Sequence, residues 1–211
     1  MVPEIKICGL KYVSDAYYVN EAKVQYAGMV FHGKSKRNVS EMEALRLMEY
    51  LDPSIKKVAV CVSPNYAKVE KIAEMGFDIV QIHGKLRKKI AESHLLPLWY
   101  AVNVKNLKSM EKQMETIVKF HDYIDGFVVD GESYGSGVPF DWDGEEASSV
   151  RLFTREKPFV LSGGLKASNI QEAIGKFNPD IVDVSTGVES ITGDGKDEQK
   201  ILEFAKAVRG E

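Results

Sequence analysis

Residues 159–187 read FVLSGGLKASNIQEAIGKFNPDIVDVSTG, and this stretch decides the fold. Two short runs rich in apolar and β-branched residues, Phe159 to Leu161 and Ile181 to Val184, enclose a segment with apolar residues near helical spacing, Ser168 to Lys176. Strand, helix and strand in this order form the repeating unit of a parallel sheet. A polar, glycine-containing sequence follows each run, which indicates a loop at the carboxyl end of each strand.

The same alternation continues along the chain. Six further runs predict strands: Glu4 to Cys8, Tyr26 to Phe31, Lys57 to Val62, Asp78 to His83, Leu98 to Val102 and Tyr123 to Asp130. Further helical segments are Ser40 to Leu51, Asn65 to Met75, Leu86 to Ser93, Met110 to Phe120 and Asp197 to Val208. Ser40 stands three residues before Glu43, as in a capping box, and Asn65 and Ser168 are expected N-caps. Eight βα units in 211 residues favour a closed (β/α)8 barrel, an α/β fold, over an open doubly wound sheet. We expect one catalytic domain spanning residues 1–211.

Composition excludes several classes of protein. The net charge is -3 and basic and acidic residues are interspersed, so no long basic stripe predicts a nucleic-acid partner. The start of the chain lacks the apolar stretch of a signal peptide, and no segment approaches eighteen consecutive apolar residues. We therefore expect a cytoplasmic protein with no membrane partner. Cys8 and Cys61 lie in apolar runs and are expected to be free thiols.

A barrel of this type carries its chemistry on the loops after the strands, and its last two such loops commonly hold phosphate. Gly163 and Gly164 follow the seventh run, and their N–H groups, with a following helix N-terminus, can bind a dianion. Ser185, Thr186 and Gly187 follow the eighth run and offer the same chemistry. Either sequence alone is also an ordinary turn. Together, on consecutive units, they predict a phosphate site.

Strand alternation places further side chains at the barrel mouth. If Cys8, Asp130 and Asp183 point inward, the residues two positions earlier do so too, because side chains alternate between the faces of a strand. Those residues are Lys6, Val128 and Ile181, and Gln81 accompanies His83 in the same way. A lysine is thus expected beside the Cys8 thiol. Cys61, inside an apolar run, is expected to be a small buried hydrophobe.

Two carboxylates and a histidine close apolar runs. Asp130 follows the apolar run Gly126 to Val129, so its carboxylate has to be desolvated, paired with another group or functional. For Asp183 the same alternatives hold, and capping of a turn is a further one. His83 is either a structural histidine or a site residue, and the sequence leaves both open. The run Lys34 to Arg37 is either a solvated loop or a positive rim that suits an anionic substrate.

Several blocks of the sequence resemble the phosphoribosylanthranilate isomerase family. They are Lys6 to Leu10, Gly28 to Phe31, Lys34 to Arg37, Val80 to Gly84, Leu161 to Leu165 and Val182 to Glu189, and they occur in order across the chain. This resemblance implies a (β/α)8 barrel enzyme of tryptophan biosynthesis that converts N-(5-phosphoribosyl)anthranilate into 1-(2-carboxyphenylamino)-1-deoxyribulose 5-phosphate by an Amadori rearrangement. It also implies that no cofactor and no metal take part.

By the same resemblance, Cys8 takes the place of the general base and Asp130 that of the general acid. Arg37, His83 and Asp183 match residues that line the substrate site. The base must work as a thiolate, for which Lys6 is the expected cation, and the acid must be buried to stay protonated. The loop Gly131 to Pro139 is shorter than the family pattern, because the stretch Tyr134 to Gly137 lacks one glycine. In addition, His32-Gly33 stands where a residue followed by proline is common.

Three other functions remain open. A related sugar-phosphate isomerase of histidine biosynthesis performs the same rearrangement with aspartates in both catalytic places, so Cys8 argues against it. A metal-dependent sugar-phosphate epimerase needs convergent ligands, and His32, His83, His94 and His121 do not show that spacing. A catalytically impaired phosphate-binding barrel is suggested by the short loop after Asp130. The expected partner is a small-molecule sugar phosphate, and the chain is expected to be a monomer or a homodimer.

Overall fold

The computed structural model describes residues 2–103, 107–130 and 156–211. Eight parallel strands close into a barrel in which each pairs with the next and the eighth pairs with the first. The strands are β1 (Glu4–Cys8), β2 (Tyr26–Phe31), β3 (Lys56–Val62), β4 (Ile79–His83), β5 (Leu98–Asn103), β6 (Gly126–Asp130), β7 (Phe159–Leu161) and β8 (Ile181–Val184). The predicted (β/α)8 architecture is confirmed. None of the helices in these ranges is long and apolar enough to cross a membrane.

Helices connect the strands on the outside of the barrel. They are α1 (Val13–Glu21), α2 (Glu41–Glu49), α3 (Tyr66–Glu74), α4 (Lys88–Ala91), α5 (Leu107–Phe120), α6 (Ile170–Phe177) and α7 (Glu198–Arg209). The predicted caps at Ser40 and Asn65 are confirmed, since each side chain accepts a hydrogen bond from the backbone N–H three residues later. The predicted cap at Ser168 is wrong. Asn169 occupies the N-cap position of α6, and its side-chain oxygen instead accepts the N–H of Lys166.

The strand boundaries differ from the predicted ones mainly at β6, which begins at Gly126 rather than at Tyr123. The three residues before Ile124 form a turn of 3-10 helix, His121–Tyr123, and therefore belong to the end of the preceding helix. Helix α1 was not among the segments singled out from the sequence. Its buried residues are Asp15, Ala16 and Val19, so a buried carboxylate interrupts the apolar pattern that usually reveals a helix.

The barrel interior is apolar towards the amino ends of the strands and polar towards their carboxyl ends. An inner apolar cluster includes Tyr26, Trp99, Val128 and Ile181, with Cys8 at its upper end. This confirms that Val128 and Ile181 point inward. Above this cluster lie five buried polar side chains: Lys6, Gln81, His83, Asp130 and Asp183. Because burying polar and charged groups is costly unless they are paired, this layer marks the end of the barrel where chemistry is expected.

At the opposite end, four reciprocal hydrogen-bond clamps join strands in pairs. Their members are Gln25, Asp78, Asp125 and Asp180, each lying just before an even-numbered strand. Each donates its backbone N–H to the carbonyl oxygen of one residue on the preceding strand. Its side-chain oxygen accepts the N–H of that same residue. The partners are Ile5, Lys57, Leu98 and Phe159, and the eight bonds are 2.7 to 3.0 Å long. These clamps satisfy backbone groups that would otherwise lack a partner.

Candidate active site

A cavity of about 420 Å³ opens at the carboxyl end of the barrel. Cys8, Arg37, His83, Asp130 and Asp183 all line it. The structure therefore brings together the five side chains that the sequence predicts for catalysis and substrate binding, from β1, the loop after β2, β4, β6 and β8. His32 also lines the cavity. It belongs to the His32-Gly33 pair, which differs from the family pattern.

A larger cavity of about 730 Å³ lies at the opposite end, among the clamps. Four of the five carboxylates that line it already have partners: Asp78, Asp125 and Asp180 accept backbone N–H groups, and Glu4 accepts the Tyr26 hydroxyl at 2.8 Å. Carboxylates engaged in this way are poor candidates for chemistry. The smaller cavity, with its buried titratable groups, is the candidate active site.

Lys6 and Asp183 form a buried ion pair beneath the cavity. Lys6 Nζ donates to Asp183 Oδ2 at 2.8 Å, and the two side chains are 0% and 4% exposed. Burial alone would lower the pKa of Lys6, but the charges of Asp183 and Cys8 outweigh burial, so the pKa is raised and the lysine is cationic. The lysine that was expected beside the thiol is present. Its charge, however, is already paired with a carboxylate.

The Cys8 thiol is buried beside this ion pair. Burial raises the pKa of Cys8; Lys6 opposes the rise, and Asp183 adds to it. Lys6 therefore acts on the thiol in the expected direction, but burial and the nearby carboxylate outweigh it, so the pKa of Cys8 lies above its ordinary value in the protein without substrate. Cys61 is also a buried free thiol, with its pKa raised to about 12 by burial, and it lies outside the cavity.

Gly28 provides the space that the Cys8 sulfur occupies. The two residues are directly opposite in the β1–β2 pairing. A β-carbon added at Gly28 would lie 3.0 Å from Cys8 Sγ and 3.1 Å from Cys8 Cα, which is closer than such atoms normally approach. The absence of a side chain at Gly28 therefore leaves room for the thiol in its present position.

We expect the substitution Gly28→Ala to lower kcat by up to about 10²-fold, because displacement of a reacting group by an ångström has effects of this size. Steady-state kinetics would measure it. Gly175→Ala is the matched control: it lies in α6, with no atom within 4 Å of the added carbon. It should leave kcat unchanged and raise the free energy of unfolding by about 1 kcal/mol. A Gly28→Ala protein with wild-type kcat and wild-type thiol reactivity would contradict this account of Gly28.

His83 and Gln81 interact on the wall of the cavity. Gln81 Nε2 lies 2.9 Å from His83 Nε2. Burial, followed by the charge of Lys6, lowers the pKa of His83 to about 3, so the ring is neutral near pH 7. An amide nitrogen can only donate, so Nε2 of His83 accepts and its ring proton lies on Nδ1. Within the described ranges, Gln81 Oε1 and Asp183 Oδ1 are buried acceptors without a donor. They suit a ligand that brings N–H or O–H groups.

A charged cluster lies at the rim around Glu189. Arg37 donates through Nε to Glu189 Oε1 and through a second nitrogen to Thr186 Oγ1, at 2.5 and 2.8 Å. Lys36 Nζ donates to Glu189 Oε2 at 2.7 Å, and Lys196 Nζ lies 3.9 Å from Glu189 Oε1. Bonds to Arg37 and Lys36 lower the pKa of Glu189 although burial raises it. No role was predicted for Glu189, although it closes the last block of the resemblance, and no sequence signal pointed to Lys196.

The two late loops, for which the sequence predicts phosphate binding, meet at one small cavity. Gly163, Gly164, Ser185, Thr186 and Gly187 all line this cavity of about 30 Å³, which Asp130 and Asp183 also border. Gly163 and Gly164 have φ of 91° and 66°, values that side chains of L-residues rarely tolerate. Within the described part of the chain, neither of their backbone N–H groups has an acceptor.

The hydroxyl groups of this site have protein partners. Ser185 Oγ donates to the Cys8 carbonyl oxygen at 2.8 Å, and Thr186 Oγ1 accepts from Arg37. The helix that follows Gly164 begins only at Ile170. The glycine backbone is therefore the part of the site best suited to an anion.

Two further predictions concern loops and metals. The loop Gly131 to Pro139, with the stretch Tyr134 to Gly137, lies outside the described residues. Among residues 2–103, 107–130 and 156–211, no three His, Cys, Asp or Glu side chains converge as metal ligands would.

A family model described as "N-(5'phosphoribosyl)anthranilate (PRA) isomerase" matches residues 5–207. The N-(5'-phosphoribosyl)anthranilate isomerase of Caldanaerobacter subterraneus subsp. tengcongensis is 38% identical over 213 residues, which cover 98% of each chain.

Two solved structures are similar over nearly the whole chain. Monomers of the dimeric phosphoribosylanthranilate isomerase from Thermotoga maritima give a TM-score of 0.82 at 32% identity, with 99% of this chain and 100% of that chain covered. A phosphoribosyl anthranilate isomerase in complex with reduced 1-(o-carboxyphenylamino)-1-deoxyribulose 5-phosphate gives a TM-score of 0.81, with the same identity and coverage.

Proposed function

The chain belongs to the N-(5'-phosphoribosyl)anthranilate isomerase family, and on that premise we propose that Cys8 and Asp130 carry out its isomerisation reaction. The family consists of isomerases of tryptophan biosynthesis. The observation that carries the residue assignment is the joint presence of a buried thiol and a buried carboxyl group in one cavity at the carboxyl end of the barrel.

The reaction requires an acid and a base at one pH. Asp130 donates a proton to the furanose ring oxygen, the bond from that oxygen to C1′ breaks, and an iminium ion forms between C1′ and the anthranilate nitrogen. The iminium acidifies the proton on C2′, which the thiolate of Cys8 removes. The resulting enol tautomerises to the ketone as a proton is added at C1′. Atoms and electrons balance, so the outcome is an isomer of the substrate.

The remaining side chains of the cavity match the parts of such a substrate. Val30, Val60 and Val62 provide an apolar wall that suits an aromatic ring. Gln81 Oε1 and Asp183 Oδ1 are buried acceptors that suit sugar hydroxyl groups, and the neutral His83 lies beside Gln81. Arg37 is suited to an anionic group at the rim. The glycine loops after β7 and β8 are suited to the 5′-phosphate.

The direct test is the loss of fluorescence of phosphoribosylanthranilate in the presence of purified enzyme, since the anthranilate ring reports on its own conversion. We expect turnover, and we expect it to persist in a chelator. The aminated sugar phosphate of histidine biosynthesis is the control substrate. Turnover of that compound alone would support the related isomerase, and metal-dependent turnover would support the epimerase. Tight binding of the product without turnover would identify the impaired barrel.

We expect the substitution Gly164→Val to raise KM strongly while the fold persists, because a β-branched side chain at φ 66° blocks the approach of the anion and strains the loop. Gly210→Val is the matched control. It also has positive φ, 77°, at the end of α7, and its added carbon has no neighbour within 4 Å. It should carry a similar strain of about 1 to 2 kcal/mol and leave KM unchanged.

Phosphate should also raise the midpoint temperature of thermal unfolding of the wild type, because a ligand that binds only the native state stabilises it. Gly164→Val should lose this protection and Gly210→Val should keep it. If neither inorganic phosphate nor product stabilises the wild type well above millimolar concentration, the phosphate site is wrongly assigned.

Oligomeric state and location stay predictions. The sequence allows a monomer or a homodimer, and the dimeric Thermotoga maritima relative favours the homodimer. Light scattering after size-exclusion chromatography would distinguish them. The cytoplasmic location expected from the sequence is likewise untested.

A further inference from the structure

Lys196 is a buried cation to which the mechanism above gives no role. Its side chain is 1% exposed and lies behind the loop that follows β8. The ammonium group donates to the backbone oxygen and the hydroxyl of Ser185, at 3.1 and 3.3 Å. Glu189 Oε1 is 3.9 Å away, too far for a hydrogen bond. An ammonium buried without a close anion is costly, so its presence at this place calls for a physical reason.

Ser185 connects this cation to Cys8. Its hydroxyl donates to the carbonyl oxygen of Cys8 at 2.8 Å and receives the ammonium of Lys196 on its other side. Burial lowers the pKa of Lys196 to about 8, and a negative charge on Cys8 would raise it. Conversely, the charge of Lys196 lowers the pKa of the buried thiol. Each group in its charged form therefore stabilises the charged form of the other.

The two cations near Cys8 differ in how far they are already neutralised. Lys6 is bonded to Asp183 at 2.8 Å, and both charges act on Cys8 in opposite directions. The Lys196 side has three cations, the other two being Lys36 and Arg37 on Glu189. A second carboxylate there, Asp15 on α1, accepts the backbone N–H of Lys196 at 3.0 Å. Positive charges therefore outnumber carboxylates on this side, and Lys200, on the backbone oxygen of Glu189 at 2.7 Å, adds a further cation.

We propose that Lys196 is a positioning residue whose buried ammonium stabilises the thiolate of Cys8. The other charged or titratable groups around the thiol and its cavity are Lys6, His32, Lys34, Lys36, Arg37, His83, Asp130 and Asp183. Of these, Lys6 and Asp183 form one pair, Arg37 is bound to Glu189, and His83 is neutral near pH 7. Lys196 thereby supplies a positive charge that the negative charge of the thiolate balances. The importance of Lys196 for catalysis rests on the proposed function, whereas its effect on the pKa of the Cys8 thiol does not.

The test measures the thiol directly rather than turnover. In a Cys61→Ser background Cys8 is the single thiol, and the rate of its alkylation by iodoacetamide as a function of pH gives its pKa. We expect Lys196→Met to raise that pKa by about one unit or more, which corresponds to roughly tenfold slower alkylation on the rising limb. Lys196→Arg should restore most of the reactivity, because it keeps the charge.

Three variants separate charge from structure. Lys196→Gln keeps a hydrogen-bond donor to Ser185 without the charge, so it should resemble Lys196→Met and replaces it if the methionine variant does not fold. Ser185→Ala keeps the charge and removes the hydroxyl, so its shift should be much smaller. Lys200→Met is the matched control: this lysine donates to the Glu189 carbonyl oxygen at 2.7 Å and should not affect Cys8.

The proposal is overturned if the neutral variants at Lys196 alkylate with the wild-type pH dependence. It is also overturned if the double variant Lys6→Met, Asp183→Asn, which removes the ion pair as a unit, raises the pKa as much as Lys196→Met does. If the chain proved to lack isomerase activity while the neutral variants at Lys196 still shifted the thiol, the proposed function would fail and the role of Lys196 would stand.

Discussion

The substitution Cys8→Ser should lower kcat about 10²- to 10⁴-fold while KM changes little. A positioned general base contributes this factor, which corresponds to about 3 to 5 kcal/mol of barrier. The serine hydroxyl keeps nearly the same size but is hardly ionised at neutral pH, so it cannot take the proton from C2′. Since burial raises the pKa of Cys8, kcat/KM of the wild type should rise with pH as the thiolate forms. Steady-state kinetics across this range would measure both effects.

Cys61→Ser is the control for Cys8→Ser. Cys61 is equally a buried free thiol on a strand, but it faces the outer core rather than the cavity, so kcat should be unchanged. The rate at which iodoacetamide inactivates the wild type should rise with pH in parallel with kcat/KM. Bound product should protect the enzyme from this inactivation. A Cys8→Ser protein that keeps more than about a tenth of the wild-type kcat would rule out the thiolate as the base.

Asp130→Asn should lower turnover severely and leave binding of the product intact. The amide has the shape of the carboxyl group but no acidic proton, so ring opening loses its acid. The expected fall in kcat is again about 10²- to 10⁴-fold. Asp130 is 7% exposed and lies at the end of β6, where it borders both the main cavity and the phosphate cavity. Quenched-flow or steady-state kinetics together with product titration would separate chemistry from binding.

Asp122→Asn is the control for Asp130→Asn, because it makes the same chemical change at a position where kcat should be unaffected. Asp122 lies in the 3-10 turn before β6, and its side chain is 98% exposed. If Asp130→Asn loses product affinity and kcat together, Asp130 holds the substrate rather than donating a proton. If it retains kcat, the assignment of the acid is wrong.

The fold was predictable because each strand is a short run of apolar and β-branched residues that ends in a polar loop. The bounds of β1, β2, β7 and β8 agree with the runs read from the sequence. Helix α1 escaped notice because its buried side includes Asp15, whose carboxylate accepts three backbone N–H groups, from Lys11, Tyr12 and Lys196. A carboxylate that is buried for this reason looks in sequence like a solvent-exposed residue.

The residues of the site were predictable where they end a strand, because the barrel fixes the direction of such side chains. Cys8, His83 and Asp130 are of this kind. Glu189 and Lys196 lie beyond the end of β8, in loops whose path depends on contacts made in three dimensions. Their position near Cys8 could therefore not be predicted from the sequence. The raised pKa of Cys8 could not be predicted for a related reason. The charge of Lys6 is paired with Asp183, which lies 177 residues away on the strand that closes the barrel.

The reciprocal hydrogen bonds at the amino end of the barrel make its eight interstrand seams unequal. Within each quarter, β1–β2, β3–β4, β5–β6 and β7–β8, a side chain reinforces the backbone pairing, and none of the four clamps crosses from one quarter to the next. Local unfolding should therefore begin at the seams between quarters. For the same reason, circular permutation should be tolerated best where the chain passes from one quarter to the next, since new termini there would separate no clamped pair.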